Sequence, residues 1–464
     1  MGYALADAIT AALGWFVFLF YRKNHLQALN LSDFAADYSR KDVLLTVLLM
    51  PGIWLVLHLF SGAYFNPYRK SRFNEIYRTL STTLLGALLI FFLFIQNDAT
   101  HDTAYYYKSF FLYFCLQFAF TSLGRIAVLH QVKRQINRGR FGYNTLIIGG
   151  NQQAIAIYRD IMENEVKLGY VFKGFVYADN SGQNGMSHYL PKLGSIDDLE
   201  RIIDDHHIEE VIIAIDTSEH NRLQHILAQL SHRPVIIKIT PDLYDIISGS
   251  VKTSNVFGAV LIEIYPELMP DWQRVIKRAL DIVASFMVLL LLSPLYLFAA
   301  LKVRLSSPGP ILYKQQRIGL YGKPFWIYKF RSMVMNAEDK GPALSSENDP
   351  RITPWGRIMR KWRIDELPQF YNIIRGDMSL VGPRPERKYY IDIISQTNPH
   401  YRYLHRVKPG LSSWGMVKFG YAENTQEMIE RMRYDLLYIK NCSLVLDFKI
   451  MVYTILVILQ GRGK

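Results

Sequence analysis

Apolar residues crowd the first 130 positions into four long stretches, at residues 4–20, 43–65, 80–95 and 110–128. Each has about the length of a helix that crosses the hydrocarbon core of a bilayer. Four in succession are rare in a water-soluble chain, so the pattern predicts a bundle of four transmembrane helices. From residue 143 the period changes. Strand-like runs at 143–148, 171–177, 211–215 and 235–239 alternate with helical periods at 152–163, 196–205 and 222–230. This alternation predicts a parallel α/β sheet of Rossmann type. Pro266 and Pro270 then bound a hinge.

A further apolar run, 282–300, carries Ser293-Pro294 near its middle. Proline inside a helix removes a hydrogen bond and clashes with the preceding turn, so a break is expected there. Cations flank both ends: Arg274, Lys277 and Arg278 before, Lys302 and Arg304 after. A spanning helix normally keeps its positive excess on one side. Residues 276–304 are therefore predicted to form a re-entrant helix that enters one leaflet and returns. The alternative, a fifth and kinked crossing, would put the nucleotide-binding candidates outside the cell. Beyond lie short strands at 311–315 and 324–330 and helices at 353–363 and 367–374. Residues 444–459 form an apolar helix suited to a membrane surface or a core.

Three domains follow: 1–140, 141–267 and 268–464. The net charge of +13 divides among them as +7, −8 and +14. The basic last third predicts an anionic partner. Its cations are dispersed and match no nucleic-acid motif, which argues against nucleic acid. Arg69, Lys70, Arg72 and Arg78 after the second span, with Arg125, Lys133, Arg134, Arg138 and Arg140 closing the fourth, place both termini in the cytoplasm. Arg22, Lys23, Arg40 and Lys41 in the first loop run against that assignment. No signal peptide is read. A half-hydrophobic chain with 14% aromatic residues is not disordered. The two cysteines, Cys115 and Cys442, exclude a disulfide framework and a cysteine-based zinc cluster.

The first turn of the α/β module reads Gly149-Gly150-Asn151-Gln152-Gln153-Ala154, a broken dinucleotide fingerprint, and Asp179 lies further on than the usual ribose-binding acid. A structural, regulatory or oligomerising role competes with nucleotide binding there, and a homodimer through this module is expected. His206-His207 reads as a solvated helix end. The concentrated chemistry is in residues 361–386, where Asp365 and Glu366 stand among Arg360, Lys361, Arg363, Arg375 and Arg384. Arginines suit bidentate binding of phosphate oxygens. A carboxylate beside them can be a nucleophile or hold a metal. Without chemistry, Asp365 would be the N-cap of the helix at 367–374.

The last third resembles the bacterial sugar transferases, monotopic polyprenyl-phosphate hexose-1-phosphate transferases. The resemblance runs through Lys277-Arg278-Ala279-Leu280-Asp281 and the Ser293-Pro294 break, Gln316-Arg317-Ile318-Gly319, and Tyr328-Lys329-Phe330-Arg331-Ser332-Met333. It continues through Asp349-Pro350-Arg351-Ile352-Thr353, Ile364-Asp365-Glu366-Leu367-Pro368-Gln369, residues 376–386 and Val407-Lys408-Pro409-Gly410. Four spans with a Rossmann-like module are similar to the large members that prime surface polysaccharide synthesis. The resemblance implies transfer of a sugar 1-phosphate from a UDP-sugar, glucose or else galactose, to undecaprenyl phosphate with release of UMP. It implies Asp365 as nucleophile, Glu366 as ligand of Mg²⁺, and Arg360 as first phosphate-binding candidate. Lys329, Arg331, Arg351 and Arg384 follow. It places the chain in the bacterial inner membrane, with the catalytic domain on the cytoplasmic face. Where the family reads P-G-I-T-G-x-A-Q-V, this chain has residues 409–417 with Met416 in place of Gln. That departure supports the rival reading, a catalytically impaired membrane-anchored sensor or scaffold. A nucleotide-sugar hydrolase is separated by whether UMP release needs the lipid.

Overall fold

The computed structural model describes residues 2–22, 41–95, 103–163, 169–177, 185–215, 220–240, 261–264, 268–339, 341, 344, 349–420 and 422–460. Lys23, Arg40, Asp179 and Pro266 lie outside the described residues. The chain divides into two compact units, Met1–Phe141 with Pro270–Ile276, and Gly142–Met269 with Lys277–Lys464.

The first unit is helical: α1 (Gly2–Tyr21), α2 (Lys41–Phe60), α3 (Arg72–Ile90) and α4 (Thr103–Asn137). Gly2–Tyr21, Arg72–Phe94 and Thr103–Asn137 are long and apolar enough to cross a membrane, whereas the apolar part of α2, Thr46–Phe60, is shorter. Trp15, Phe18, Met50, Trp54, Ile90 and Tyr113 form their common core. Arg125 does not lie at the surface, where the charge pattern put it. It is buried in α4, with both Asp7 oxygens at 2.8 and 2.9 Å and Glu75 at 3.1 Å. A guanidinium in an apolar bundle persists only when paired in this way, so it is an internal tie and not a topological signal.

The second unit contains a six-stranded sheet. Its strands are β1 (Tyr143–Ile148), β2 (Tyr170–Tyr177), β3 (Lys192–Ser195), β4 (Glu210–Ile213), β5 (Ile236–Ile239) and β6 (Ile262–Ile264), ordered β3-β2-β1-β4-β5-β6. All pairs are parallel except β5 with β6. Successive side chains alternate between faces. Leu146, Ile148, Val211 and Ile213 enter one core, with Ile202, Ile203 and Ile226. Ile147 and Ile212 enter the other, with Ile155 and Ile157 of α5 (Gln152–Glu163). Helices α6 (Leu199–Asp205) and α7 (His220–Leu230) complete this part. The strands β3 and β6, of four and three residues, escape the sequence pattern. His206 and His207 are exposed at the end of α6, as expected.

Helix α8 (Asp271–Leu291) and helix α9 (Ser293–Ser306) meet at a 64° bend. Pro294 occupies the first turn of α9, where its missing N–H costs nothing. The base of α8 is tied to the globular part by three residues. Lys277 donates to Val381 O at 3.0 Å and Asp447 at 2.6 Å. Arg278 donates to Ile373 O and Ile374 O, at 2.6 and 2.8 Å, and Asp281 accepts from Leu380 N at 3.0 Å. The globular part holds an antiparallel hairpin, β7 (Leu312–Ile318) with β8 (Pro324–Phe330). A parallel pair follows, β9 (Ser379–Val381) with β10 (Gly410–Ser412). Its helices are α10 (Pro354–Lys361), α11 (Gln369–Arg375), α12 (Lys388–Thr397), α13 (Trp414–Lys418), α14 (Thr425–Lys440) and α15 (Leu444–Leu459).

Candidate active site

Thr353 caps α10 by accepting from Gly356 N at 3.0 Å, which fixes where the helix starts and hence where Arg360 points. The helix stops at Trp362. Arg363 then takes a left-handed conformation, φ 53°, that a side chain with a Cβ adopts only under tertiary constraint. This reversal starts a 3₁₀ turn, Ile364–Glu366, and carries Asp365 and Glu366 inward, at 7% and 5% exposure. Helix α11 begins after Pro368, and no side chain caps it. Asp365 is therefore not the N-cap that the sequence allowed.

The two carboxylates differ. Glu366 Oε1 accepts from Lys329 at 3.0 Å and lies 3.7 Å from Arg384, while its Oε2 accepts from Arg363 at 2.6 Å. Burial alone would raise Glu366, but Arg363, Lys329 and Arg384 outweigh it and hold the group well below the ordinary glutamate value. Asp365 makes no hydrogen bond or salt bridge among the described residues. Burial, reinforced by the charge of Glu366, pushes it above the ordinary aspartate value, against the pull of Lys329, Arg360 and Arg363. Burial likewise lowers the Lys329 ammonium, although Glu366 opposes this.

Both acids line a cavity of about 360 Å³, with Lys329, Arg331, Arg360, Arg384, Arg317, Arg387, Arg431 and Glu386 also in its wall. Arg360 Nε donates to Ser332 Oγ at 3.0 Å. Two of the expected phosphate ligands have protein partners of their own. Arg331, although in the cavity wall, donates to the carbonyls of Ser307 and Pro308 at 2.6 and 2.9 Å, where α9 ends. Arg351 does not reach the cavity wall. It grips Asp349 through two nitrogens and donates to Ala337 O at 3.1 Å, which orders the loop after Met333. Arg384 NH1 lies 3.2 Å from the sulfur of Met416, so the departure at 409–417 reaches the site. Ser293 and Pro294 sit at the bend, away from this cavity wall.

Sequence reasoning gave no role to Arg317, Arg387, Arg431 or Glu386. Arg431 carries one signal: it shares the buried face of α14 with Met428, Met432 and Asp435, where an unpaired arginine is not tolerated. No cluster of three or more metal-ligating side chains occurs among the described residues.

Comparisons with known proteins find similarity over most of the chain. The family model described as bacterial sugar transferase matches residues 272–461, and one described as CoA-binding domain matches residues 60–241. A UDP-N-acetylgalactosamine-undecaprenyl-phosphate N-acetylgalactosaminephosphotransferase of Aeromonas hydrophila is 41% identical over 50% of this chain and 54% of its own length. The match thus spans about half of that relative. A UDP-glucose:undecaprenyl-phosphate glucose-1-phosphate transferase of Escherichia coli K12 is 32% identical over 73% of both chains. An undecaprenyl-phosphate galactose phosphotransferase of Salmonella typhimurium is 30% identical over 88% of this chain and 85% of its own length. Similarity that extends through nearly the whole of one relative, and a family match that coincides with the part built around Asp365 and Glu366, place the chain in the bacterial sugar transferase family.

Proposed function

We propose that this chain moves a hexose 1-phosphate from a UDP-sugar to undecaprenyl phosphate, releasing UMP, as the priming step of exopolysaccharide, capsule or O-antigen synthesis. Asp365 carries the reading: a buried carboxylate with no hydrogen bond or salt bridge among the described residues, set in a cavity walled by cations. An ionised aspartate needs no activating base. Its Oδ attacks the sugar-bearing phosphorus, the phosphoanhydride P–O bond breaks, and the electron pair leaves with UMP. A phosphate oxygen of undecaprenyl phosphate then attacks the same phosphorus and expels the Asp365 carboxylate. The products are the lipid diphosphate-linked sugar and the regenerated site. Lys329, Arg360 and Arg384 screen the repulsion between aspartate and diphosphate and stabilise charge as the bond breaks.

The donor set fits Mg²⁺. Glu366 is a hard oxygen ligand, and a carboxylate has about four lone-pair sites, of which Lys329 and Arg363 take three here. Mg²⁺ commonly binds through one or two carboxylates and the substrate's phosphates. Glu366 would hold it, and bound there it would neutralise part of the diphosphate charge. The bent pair α8–α9, with Phe286, Leu290, Leu291, Leu297 and Leu301 exposed, supports a re-entrant anchor that sets the site at headgroup depth on the cytoplasmic face of the inner membrane.

The test is UMP release by purified protein with Mg²⁺ and undecaprenyl phosphate. The panel is UDP-glucose, the donor expected first, with UDP-galactose and UDP-N-acetylgalactosamine. Lipid-dependent release that Asp365→Asn abolishes is expected. Release that needs no lipid would instead indicate a hydrolase, and none from any donor would favour the sensor or scaffold reading.

A further inference from the structure

The cavity holds a second cluster of charge, which shares Arg384 with the first. Glu386, 7% exposed, stands at its centre. Arg431 NH2 donates to Glu386 Oε1 at 2.7 Å, and Arg317 NH1 donates to Oε2 at 3.2 Å. Arg384 Nε lies 3.9 Å from Oε1. Arg317 also donates to Pro385 O and to Gln315, at 3.0 and 2.7 Å, yet its buried Nε has no hydrogen-bond partner among the described residues. Asp435, on the same helix as Arg431, accepts from Gly415 N at 2.9 Å. Three guanidinium groups thus face two carboxylates, and the wall retains a positive excess.

Its placement suggests what it binds. Arg384 joins the two clusters, with NH2 toward Glu366 and Nε toward Glu386. The two phosphates of a nucleoside diphosphate sugar share a bridging oxygen, so they require two contiguous cationic sites. The site beside Asp365 must take the phosphate that is attacked. We propose that Arg317, Arg384 and Arg431, gathered on Glu386, form the subsite for the other phosphate, the one that belongs to the nucleoside monophosphate and departs with it. This assignment rests on the transferase reading above. Glu386 is the positioning residue: by holding three like charges together it keeps their donors aimed into one space. Guanidinium forks match phosphate oxygens in a way that an ammonium does not.

The probe is UMP itself, titrated calorimetrically into the full-length protein in detergent. Arg317→Lys and Arg431→Lys keep the charge, and thermal melts establish that each is folded. Each is expected to weaken UMP binding at least tenfold and to raise KM for the UDP-sugar, while KM for undecaprenyl phosphate stays within twofold. Unchanged UMP affinity in a folded Arg317→Lys or Arg431→Lys protein would overturn the subsite, as would a parallel rise in KM for the lipid. If wild-type protein binds UMP, loses it in both variants and yet releases none from any UDP-sugar, the transferase reading fails and the nucleotide subsite stands.

Discussion

Asp365 and Glu366 are neighbours in sequence and almost equally buried, yet their carboxylates sit in opposite electrostatic settings. Glu366 balances Lys329 and Arg363 at 3.0 and 2.6 Å. Removing one member of a buried pair leaves the other charges uncompensated and costs about 3–5 kcal/mol. Glu366→Gln should therefore lower Tm clearly. Asp365→Asn removes a buried charge that no hydrogen bond or salt bridge offsets among the described residues, and should leave Tm unchanged or raise it. Equal losses of Tm in the two variants would contradict the assigned environments. The pH dependence follows the same division. Glu366, held low, contributes stability that is full above its unfolded value of about 4.3 and is lost as pH falls through its folded value. Asp365, held high, favours the protonated folded form, and that contribution is lost as pH rises through its folded value. Because the nucleophile must be ionised, the acid limb of kcat/KM should fall above the ordinary aspartate value of about 3.9. An acid limb at or below that value would remove Asp365 from the role. These contrasts were not legible in the sequence, where Asp-Glu is a symmetric pair. Arg363 at φ 53° sets how each side chain enters the wall.

At the scale of elements, the break between α8 and α9 is written in the sequence as Ser293-Pro294, but its persistence depends on what α9 touches. Ala299 and Val303 pack on Phe330 and Met359. Tyr296 bonds Leu367 O, and Arg331 binds the carbonyls of Ser307 and Pro308 beyond the last turn. Pro294→Ala alone should thus keep both flanks of the bent pair on one side of the membrane, as read by cysteine labelling next to Lys277 and Lys302. A flank that moved to the opposite side would show that proline, not packing, sets the shape. Arg331 illustrates the general limit. A lone Arg in a motif reads equally as a phosphate ligand or as the partner of a helix end, because both present clustered oxygens. Only the fold reveals which oxygens lie within reach.

For the whole molecule, the core of the last part is self-contained: Ile373, Met378, Val381, Ile391, Ile394, Met428, Met432 and Ile439 pack together with Ile450 of α15. Its links to the α/β module include Arg402 with Glu200 at 3.6 Å, an ion pair whose two side chains are each about two-fifths exposed or more. Exposed pairs of this type contribute about 0–1 kcal/mol. A protein that lacks the first 267 residues should remain membrane-bound and keep measurable UMP release, at lower Tm. Complete loss of release in a folded, membrane-bound fragment would make the front modules part of the chemistry.

The sequence by itself determined the periods: the apolar helices, the strand–helix alternation of β1, β2, β4 and β5, the Ser-Pro break, and the acid pair among arginines. Periodicity and turn chemistry are local, and a single chain displays them without its fold. Tertiary structure decided the rest. It buried Arg125 between Asp7 and Glu75, gave Arg331 and Arg351 to backbone and loop, and brought Arg317 and Arg431 to Glu386 across 69 and 45 positions. It also buried Asp365 with no hydrogen bond or salt bridge among the described residues. Which charges meet is set by chain reversals and packing over long separations, and neither composition nor spacing records them.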